Sequence, residues 1–157
     1  MSLGIQSFSH VVMQVGDLEA AIAFYGGLLG LERTFEQPYP DPAGGAPLRA
    51  VGFRAGPHVM LELMGRPGEP REIDGRAAPI LALAVADIEA ADRALRAAGE
   101  TRHRPPVEMA PGIFMLFLRD PDGRTIELVQ FPAGARSSVE HDARSRPAAT
   151  PGAGSGG

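Results

Sequence analysis

The chain contains the same pattern twice, and this repeat restricts its fold more than any other feature. Residues 11–25, VVMQVGDLEAAIAFY, align with residues 81–95, LALAVADIEAADRAL, at a constant separation of 70 positions. In the first copy, the residues before the aspartate alternate as in a strand, and the apolar residues after it recur every three or four positions, as in a helix. Asp17 and Asp87 stand where the strand period changes to the helical period. At such a position a short carboxylate accepts hydrogen bonds from the first free N–H groups of the helix. Each copy therefore predicts a strand followed by a capped helix.

Each copy then ends in a strand that carries a glutamate. The first is HVMLELMG at residues 58–65, and the second is RTIELVQF at residues 124–131. Before the second strand, MLFLRDPDG places turn residues between two apolar runs, which is typical of a hairpin. We predict an α+β fold of two modules, each a strand, a helix and about three strands, at residues 5–64 and 80–132. A linker rich in glycine, proline and charge covers residues 65–79, and residues 133–157 have so few apolar side chains that we expect a disordered tail.

Composition excludes several classes of function. The 157 residues include no cysteine, which rules out disulfides, thiolate metal sites and a cysteine nucleophile. The net charge is −4 and the basic residues are scattered, so a nucleic-acid partner is not expected. No apolar run approaches the roughly 20 residues that span a bilayer. The start of the chain lacks a basic segment followed by an apolar run. We therefore expect a cytoplasmic protein without a membrane partner.

Three polar residues stand on strands otherwise rich in apolar side chains. Because side chains alternate across a strand, His10, Glu62 and Glu127 each lie opposite the more uniformly apolar face of their strand. That apolar face should meet the helices, so all three residues should point to the other side of the sheet. A histidine and two carboxylates on one concave surface are suitable ligands for Zn²⁺, Ni²⁺, Mn²⁺ or Fe²⁺.

The other histidines carry weaker signals. His58 follows a Gly-Pro turn and is expected at a solvated strand end, and His141 falls in the predicted tail, where no role is expected. His103, in ETRHRPP, is placed on an edge strand or a pocket rim. Residues 36–47 are expected to form an irregular loop that could cover a pocket.

The duplicated unit, with FSHVVMQVGDLEAAIAFY, VMLEL and RDPDGRTIEL, resembles the vicinal oxygen chelate superfamily. This superfamily includes glyoxalase I, extradiol dioxygenases, methylmalonyl-CoA epimerase, and the fosfomycin and bleomycin resistance proteins. The resemblance covers residues 8–131. It implies two tandem βαβββ modules that form an open, barrel-like mixed sheet around a central cavity, with a divalent metal held by the first and last strands of each module.

Carried over position by position, the resemblance makes His10, Glu62 and Glu127 metal ligands. The fourth ligand should lie 70 residues after His10, and that residue is Ile80, which cannot bind a metal. Two alternatives follow. Either the three remaining residues hold a metal with more positions open to substrate, or the metal has been lost and the cavity binds small molecules or acts through its carboxylates alone.

The first alternative predicts an isomerase, epimerase or lyase that acts on a small, largely apolar oxygenated molecule. The metal would act as a Lewis acid while Glu62 or Glu127, the candidate catalytic residues, moves a proton. The second predicts a metal-free binding protein of the antibiotic-resistance kind, or a metal-free cyclase or isomerase. The small-molecule pocket is assigned to Val12, Gln14, Met60, Ile80, Ala82, Val129 and His103. The resemblance also implies a homodimer.

Overall fold

The repeat in the sequence is a repeat in the structure. A computed structural model describes residues 9–41, 45–57, 59–132, 135 and 138–145. The first module consists of β1 (His10–Gln14), α1 (Leu18–Ile22), β2 (Glu32–Tyr39), β3 (Leu48–Arg54) and β4 (Met60–Gly65). The second consists of β5 (Leu81–Ala84), α2 (Ile88–Ala97), β6 (Val107–Ala110), β7 (Ile113–Arg119) and β8 (Thr125–Gln130).

Each module builds one mixed sheet of four strands, and both sheets have the same order. The orders are β1-β4-β3-β2 and β5-β8-β7-β6. In each sheet the first strand pairs in parallel with the last, and the other neighbours are antiparallel. The predicted α+β class and the two βαβββ units are confirmed. The sheets are two separate four-stranded units and do not close into a barrel.

The two helices start in the same way. The carboxylate of Asp17 accepts a hydrogen bond from the Ala20 N–H at 3.0 Å, and that of Asp87 accepts one from the Ala90 N–H at 2.9 Å. Both aspartates have extended backbone, as expected of a residue that precedes a helix. The equivalence of Asp17 and Asp87 read from the sequence is therefore confirmed.

One continuous hydrophobic core joins the helix-facing sides of both sheets. It contains Leu61 and Leu63 from β4, Ile126 and Leu128 from β8, and residues of both helices. The alternate residues of the same strands, including Glu62 and Glu127, lie on the opposite faces. The predicted direction of the strand faces is thus confirmed.

The first helix continues beyond α1 as a π-helical segment, Ala23–Leu28. The structure differs from the sequence-based expectations in two places. The expected irregular loop at residues 36–47 is strand up to Tyr39, because β2 pairs with β3 over this length. Part of the expected disordered tail is helical, α3 (Ser138–Ser145), and the ring of His141 stacks on Phe131 with centroids 5.4 Å apart. His58 and residues 146–157 lie outside the described residues.

A buried polar network fastens the two modules together where β1 ends. The Arg124 guanidinium lies 3.1 Å from Asp120 and 2.6 Å from Asp122, and it also donates to the backbone carbonyl of Gln14. Tyr25, from the first module, donates its hydroxyl hydrogen to Asp120 at 2.8 Å. The second module's DPDG turn therefore fixes the position of the strand that carries His10.

The linker is hydrogen-bonded to both modules beside this network. The Arg71 N–H donates to the Gly16 carbonyl at 3.0 Å, and the Gly75 N–H donates to the Asp122 carbonyl at 2.9 Å. A Cβ atom on Gly16 would lie 2.3 Å from the Arg71 carbonyl oxygen, so only glycine fits there. Among the described residues, no helix has both the length and the apolar character needed to cross a membrane.

Candidate functional site

The first half of the site is a histidine and a glutamate on neighbouring strands. Strands β1 and β4 run parallel with His10 opposite Met60 and Val12 opposite Glu62, so the two polar residues share one face. Their closest atoms, His10 Nε2 and Glu62 Oε2, are 3.9 Å apart. The His10 side chain is 42% exposed and the Glu62 side chain 12% exposed. The carboxylate is therefore sheltered, and the imidazole remains open to an incoming partner.

This pair fits a metal ion. At 3.9 Å the two atoms are too far apart for a hydrogen bond. Imidazole nitrogen and carboxylate oxygen each bind Zn²⁺ at about 2.0–2.2 Å, so two such bonds can bridge this separation. The 3.9 Å separation of His10 Nε2 and Glu62 Oε2 is therefore compatible with both atoms binding one ion.

The second half of the site is Glu127, in the centre of β8. Its register neighbours are Ala82 on β5 and Phe117 on β7. Burial among these neighbours raises the pKa of the Glu127 carboxyl above its ordinary value. A carboxyl with a raised pKa is a better proton acceptor than one in open water, so Glu127 is suited to move a proton.

The structure does not bring all three predicted ligands together within one chain. Within the described ranges, no group of three or more histidine and acidic side chains is close enough to hold a metal ion. His10 and Glu62 form one cluster on the first sheet, and Glu127 belongs to the second sheet. The other faces of the two sheets lie outside this shared core, and on the first sheet Leu48, Ala50 and Met64 form a small separate buried cluster on the face that carries Glu62. The candidate residues therefore lie in two separate groups, His10 with Glu62 and Glu127 alone, which we call the candidate half-sites.

Large apolar residues are exposed on both open faces. On the first sheet Val12 is 47% exposed, and on the second Phe117 is 40% exposed, with Ile80 at 55% just before β5. Two further predicted pocket residues, Met60 and Ala82, are partly or fully exposed, whereas Val129 is buried. These faces combine an acidic or imidazole centre with apolar surroundings, which is typical of small-molecule sites.

A cavity of about 620 Å³ lies between β1, the linker and the start of β5. Val12, Gln14 and Ile80 line it, so three of the seven predicted pocket residues meet in one cavity. Arg71 and Arg124 line the same cavity, and the Arg71 guanidinium donates to the Gln14 side-chain oxygen at 3.2 Å. Neither arginine was recognised from the sequence, because a linker arginine and an arginine after a turn carry no periodic signal.

The structure places His103 away from these residues. Its side chain is fully buried, and its Nε2 lies 2.7 Å from an oxygen of Asp92 on α2. His103 lines a different cavity, of about 450 Å³, which none of the other predicted site residues lines. Its contact with α2 gives His103 a structural role.

Comparison with known proteins identifies the family. Residues 7–128 match the model of the Glyoxalase/Bleomycin resistance protein/Dioxygenase superfamily. The chain belongs to this superfamily. The resemblance read from the repeated motifs is therefore confirmed.

Relatives within the superfamily carry one name repeatedly. The probable lactoylglutathione lyase of Synechocystis is 32% identical over 123 residues, covering 77% of this chain and 92% of that protein. The lactoylglutathione lyase of Salmonella typhimurium is 35% identical over 128 residues, covering 77% and 90%. The solved structure of glyoxalase I from Leishmania major is 28% identical with a TM-score of 0.60, covering 80% of this chain and 87% of that one.

Proposed function

We propose that this protein is a divalent-metal-dependent enzyme of the lyase or isomerase type that acts on a small oxygenated molecule. The observation that carries the proposal is the pair of donor atoms from His10 and Glu62, 3.9 Å apart on one strand face. The relatives named lactoylglutathione lyase support the same class of reaction. The metal is one of Zn²⁺, Ni²⁺, Mn²⁺ or Fe²⁺, all of which accept imidazole and carboxylate ligands.

The chain supplies the ligands and the proton acceptor. His10 and Glu62 hold the ion from the first sheet, and Glu127 completes the site from the second. A bound divalent ion acts as a Lewis acid toward a substrate oxygen. Glu127 is our candidate for the proton-transferring residue, because burial raises its pKa toward the working pH. Glu62 lies beside His10 and is assigned to metal binding.

We propose that the complete site forms between two copies of the chain. The support is the separation of the half-sites, with no third ligand near His10 and Glu62 among the described residues of one chain. A two-fold dimer that sets the first sheet of one protomer against the second sheet of its partner makes two identical sites. It also covers the exposed apolar residues Val12, Ile80 and Phe117.

The apolar wall points to the kind of substrate. Val12 and Ile80 line the cavity beside β1. Met60 and Ala82, which are accessible on the same strand faces, are the remaining proposed contacts, whereas Val129 is buried. Gln14 and Arg71, which are hydrogen-bonded to each other, add polar groups to the lining of this cavity. We propose a substrate with a mainly apolar body and a metal-binding oxygen group. The cytoplasmic location stays a prediction.

Metal binding of four proteins tests this function. The parent, purified without chelators or a histidine tag, should bind a divalent ion in a titration with Zn²⁺, Ni²⁺, Mn²⁺ or Fe²⁺. His10→Ala should lose that binding, and Ile80→His should strengthen it, since it adds an imidazole at the position of the missing ligand. His141→Ala is the matched control. His141 lies in α3, where its ring stacks on Phe131, so its replacement should leave metal binding unchanged.

A metal-free binding protein, the alternative function, predicts a different result in the same titrations. If neither the parent nor Ile80→His binds a divalent ion, the metalloenzyme proposal is wrong. The exposed apolar faces would then favour a metal-free protein that binds a small apolar molecule.

A further inference from the structure

The side chain next to His10 contacts the ring nitrogen that faces away from Glu62. Ser9 Oγ lies 2.8 Å from His10 Nδ1, at hydrogen-bond distance. The other ring nitrogen, Nε2, is the atom 3.9 Å from Glu62 Oε2. The imidazole is thus held on one side by a hydroxyl and directed on the other toward the carboxylate. From this geometry we infer that Ser9 is a positioning residue that holds His10 with Nε2 available as a metal ligand.

The hydroxyl is suited to this role because it can both donate and accept. A neutral imidazole carries one proton, on either Nδ1 or Nε2. When Nδ1 carries it, the N–H donates to Ser9 Oγ and the Nε2 lone pair faces Glu62. When Nε2 carries it, the Ser9 hydroxyl donates to Nδ1 and the Nε2–H points toward the carboxylate. Only the first arrangement leaves Nε2 free to bind a metal, and Ser9 can partner both.

The repeat gives an independent reason to treat Ser9 and His10 as a unit. The positions 70 residues later are Pro79 and Ile80. The second module therefore lacks the ring and also lacks a hydroxyl beside it. The module that keeps the histidine is the module that has the serine. A hydrogen bond to the second nitrogen of a metal-bound histidine holds the ring in its orientation, which is the effect we assign to Ser9.

The inference rests on the proposed metal site and predicts an effect on affinity. Ser9→Ala should weaken Zn²⁺ binding about 10-fold, within the range for the loss of such a supporting contact. Ser9→Thr keeps the hydroxyl and should retain most of the affinity. Ser138→Ala is a matched control, because it removes an exposed serine hydroxyl on a different element, α3.

The test combines Zn²⁺ titration with nuclear magnetic resonance of the ¹⁵N-labelled histidine rings. In the parent with Zn²⁺, the His10 resonances should show a protonated Nδ1. In Ser9→Ala with Zn²⁺, this Nδ1–H loses its hydroxyl acceptor and should exchange with water faster, while Ser9→Thr should resemble the parent. His10→Ala identifies the His10 resonances.

Two failures can be told apart. If the parent binds Zn²⁺ and Ser9→Ala binds it equally well with an unchanged exchange rate of the Nδ1–H, Ser9 has no positioning role and the inference is wrong. If the parent binds no divalent ion, the proposed function itself fails and the inference fails with it.

Discussion

Arg124 shows how much a single residue contributes to joining the modules. Its guanidinium is buried and bonded to Asp120, to Asp122 and to the carbonyl of Gln14, the last residue of β1. A buried charge pair stabilises a fold only if both partners stay, because an unpaired charge keeps its full desolvation cost. Burial and the nearby Asp120 carboxylate raise the pKa of the Tyr25 hydroxyl far above its usual range, so Tyr25 acts as a hydrogen-bond donor in this network.

Replacing Arg124 should therefore cost far more stability than replacing an exposed arginine. Arg124→Met leaves the Asp120 carboxylate without its cation and should lower the free energy of unfolding by about 3–5 kcal/mol. Arg76→Met is the control, since Arg76 forms a fully exposed ion pair with Asp74 and its loss should change the stability far less. Urea denaturation at one protein concentration measures both. Equal losses for the two variants would show that the network does not hold the modules.

Glu127 should make the protein less stable as the pH rises. Its pKa is raised in the folded state, so the folded protein keeps this proton at pH values where the unfolded chain has lost it. Stability therefore falls as the pH increases from the ordinary value of about 4.3 toward the raised pKa. Glu127→Gln should melt at a higher temperature than the parent at neutral pH, and the two should converge in acid.

The measurement is thermal melting in the presence of a chelator, so that metal binding does not contribute. Glu69→Gln, which removes a carboxyl at an exposed linker position, is the control and should leave the melting temperature at neutral pH close to that of the parent. If Glu127→Gln is less stable than the parent at neutral pH, the fold stabilises the charged Glu127 carboxylate. The predicted loss of stability with rising pH is then wrong.

At the level of elements, the π-helical segment contains two adjacent glycines with opposite requirements. A Cβ atom on Gly26 would lie 2.9 Å from the ring of Phe53, which is fully buried in the core. A Cβ atom on Gly27 would meet nothing within 4 Å. Gly26 is needed for close packing of the helix on β3, whereas Gly27 faces open space.

Alanine at these two positions should therefore change stability in opposite directions. Gly27→Ala should raise the free energy of unfolding by about 0.5–1 kcal/mol, since alanine loses less backbone freedom on folding. Gly26→Ala should lower it by about 1–3 kcal/mol, because a core ring must move. Each variant is the other's control in a denaturant titration. Stabilisation by both would show that the segment can shift away from Phe53.

The elements also show where sequence reasoning works and where it does not. Asp17 and Asp87 could be predicted as caps because their neighbours change from a period of two to a helical period at that residue. The faces of His10, Glu62 and Glu127 follow from alternation alone. The buried roles of Arg124 and His103 could not be predicted, because their partners, Gln14 and Asp92, are set by packing between distant segments. The helix α3 has no strong apolar period, so its sequence resembled a tail.

At the scale of the whole molecule, the proposed metal site needs the two candidate half-sites, one on each sheet, to come together. Within one chain the shared core occupies the helix-facing sides of both sheets, which leaves His10 and Glu62 on one open face and Glu127 on another. A dimer that unites them makes each site depend on both protomers. Two defective chains can then repair each other, provided that their defects lie in different modules.

Mixing His10→Ala with Glu127→Gln tests this arrangement directly. A mixed dimer has one site with His10 and Glu62 from one protomer and Glu127 from its partner, so random exchange should restore roughly a quarter of the parent's tight Zn²⁺ sites. Neither variant alone should restore any. The parent mixed with the double variant is the control: if the site spans two chains, every mixed dimer lacks a complete site, and only parent homodimers bind tightly. If the site lies within one chain, the first mixture recovers nothing and the second keeps half of the parent's sites, so the two arrangements give opposite results.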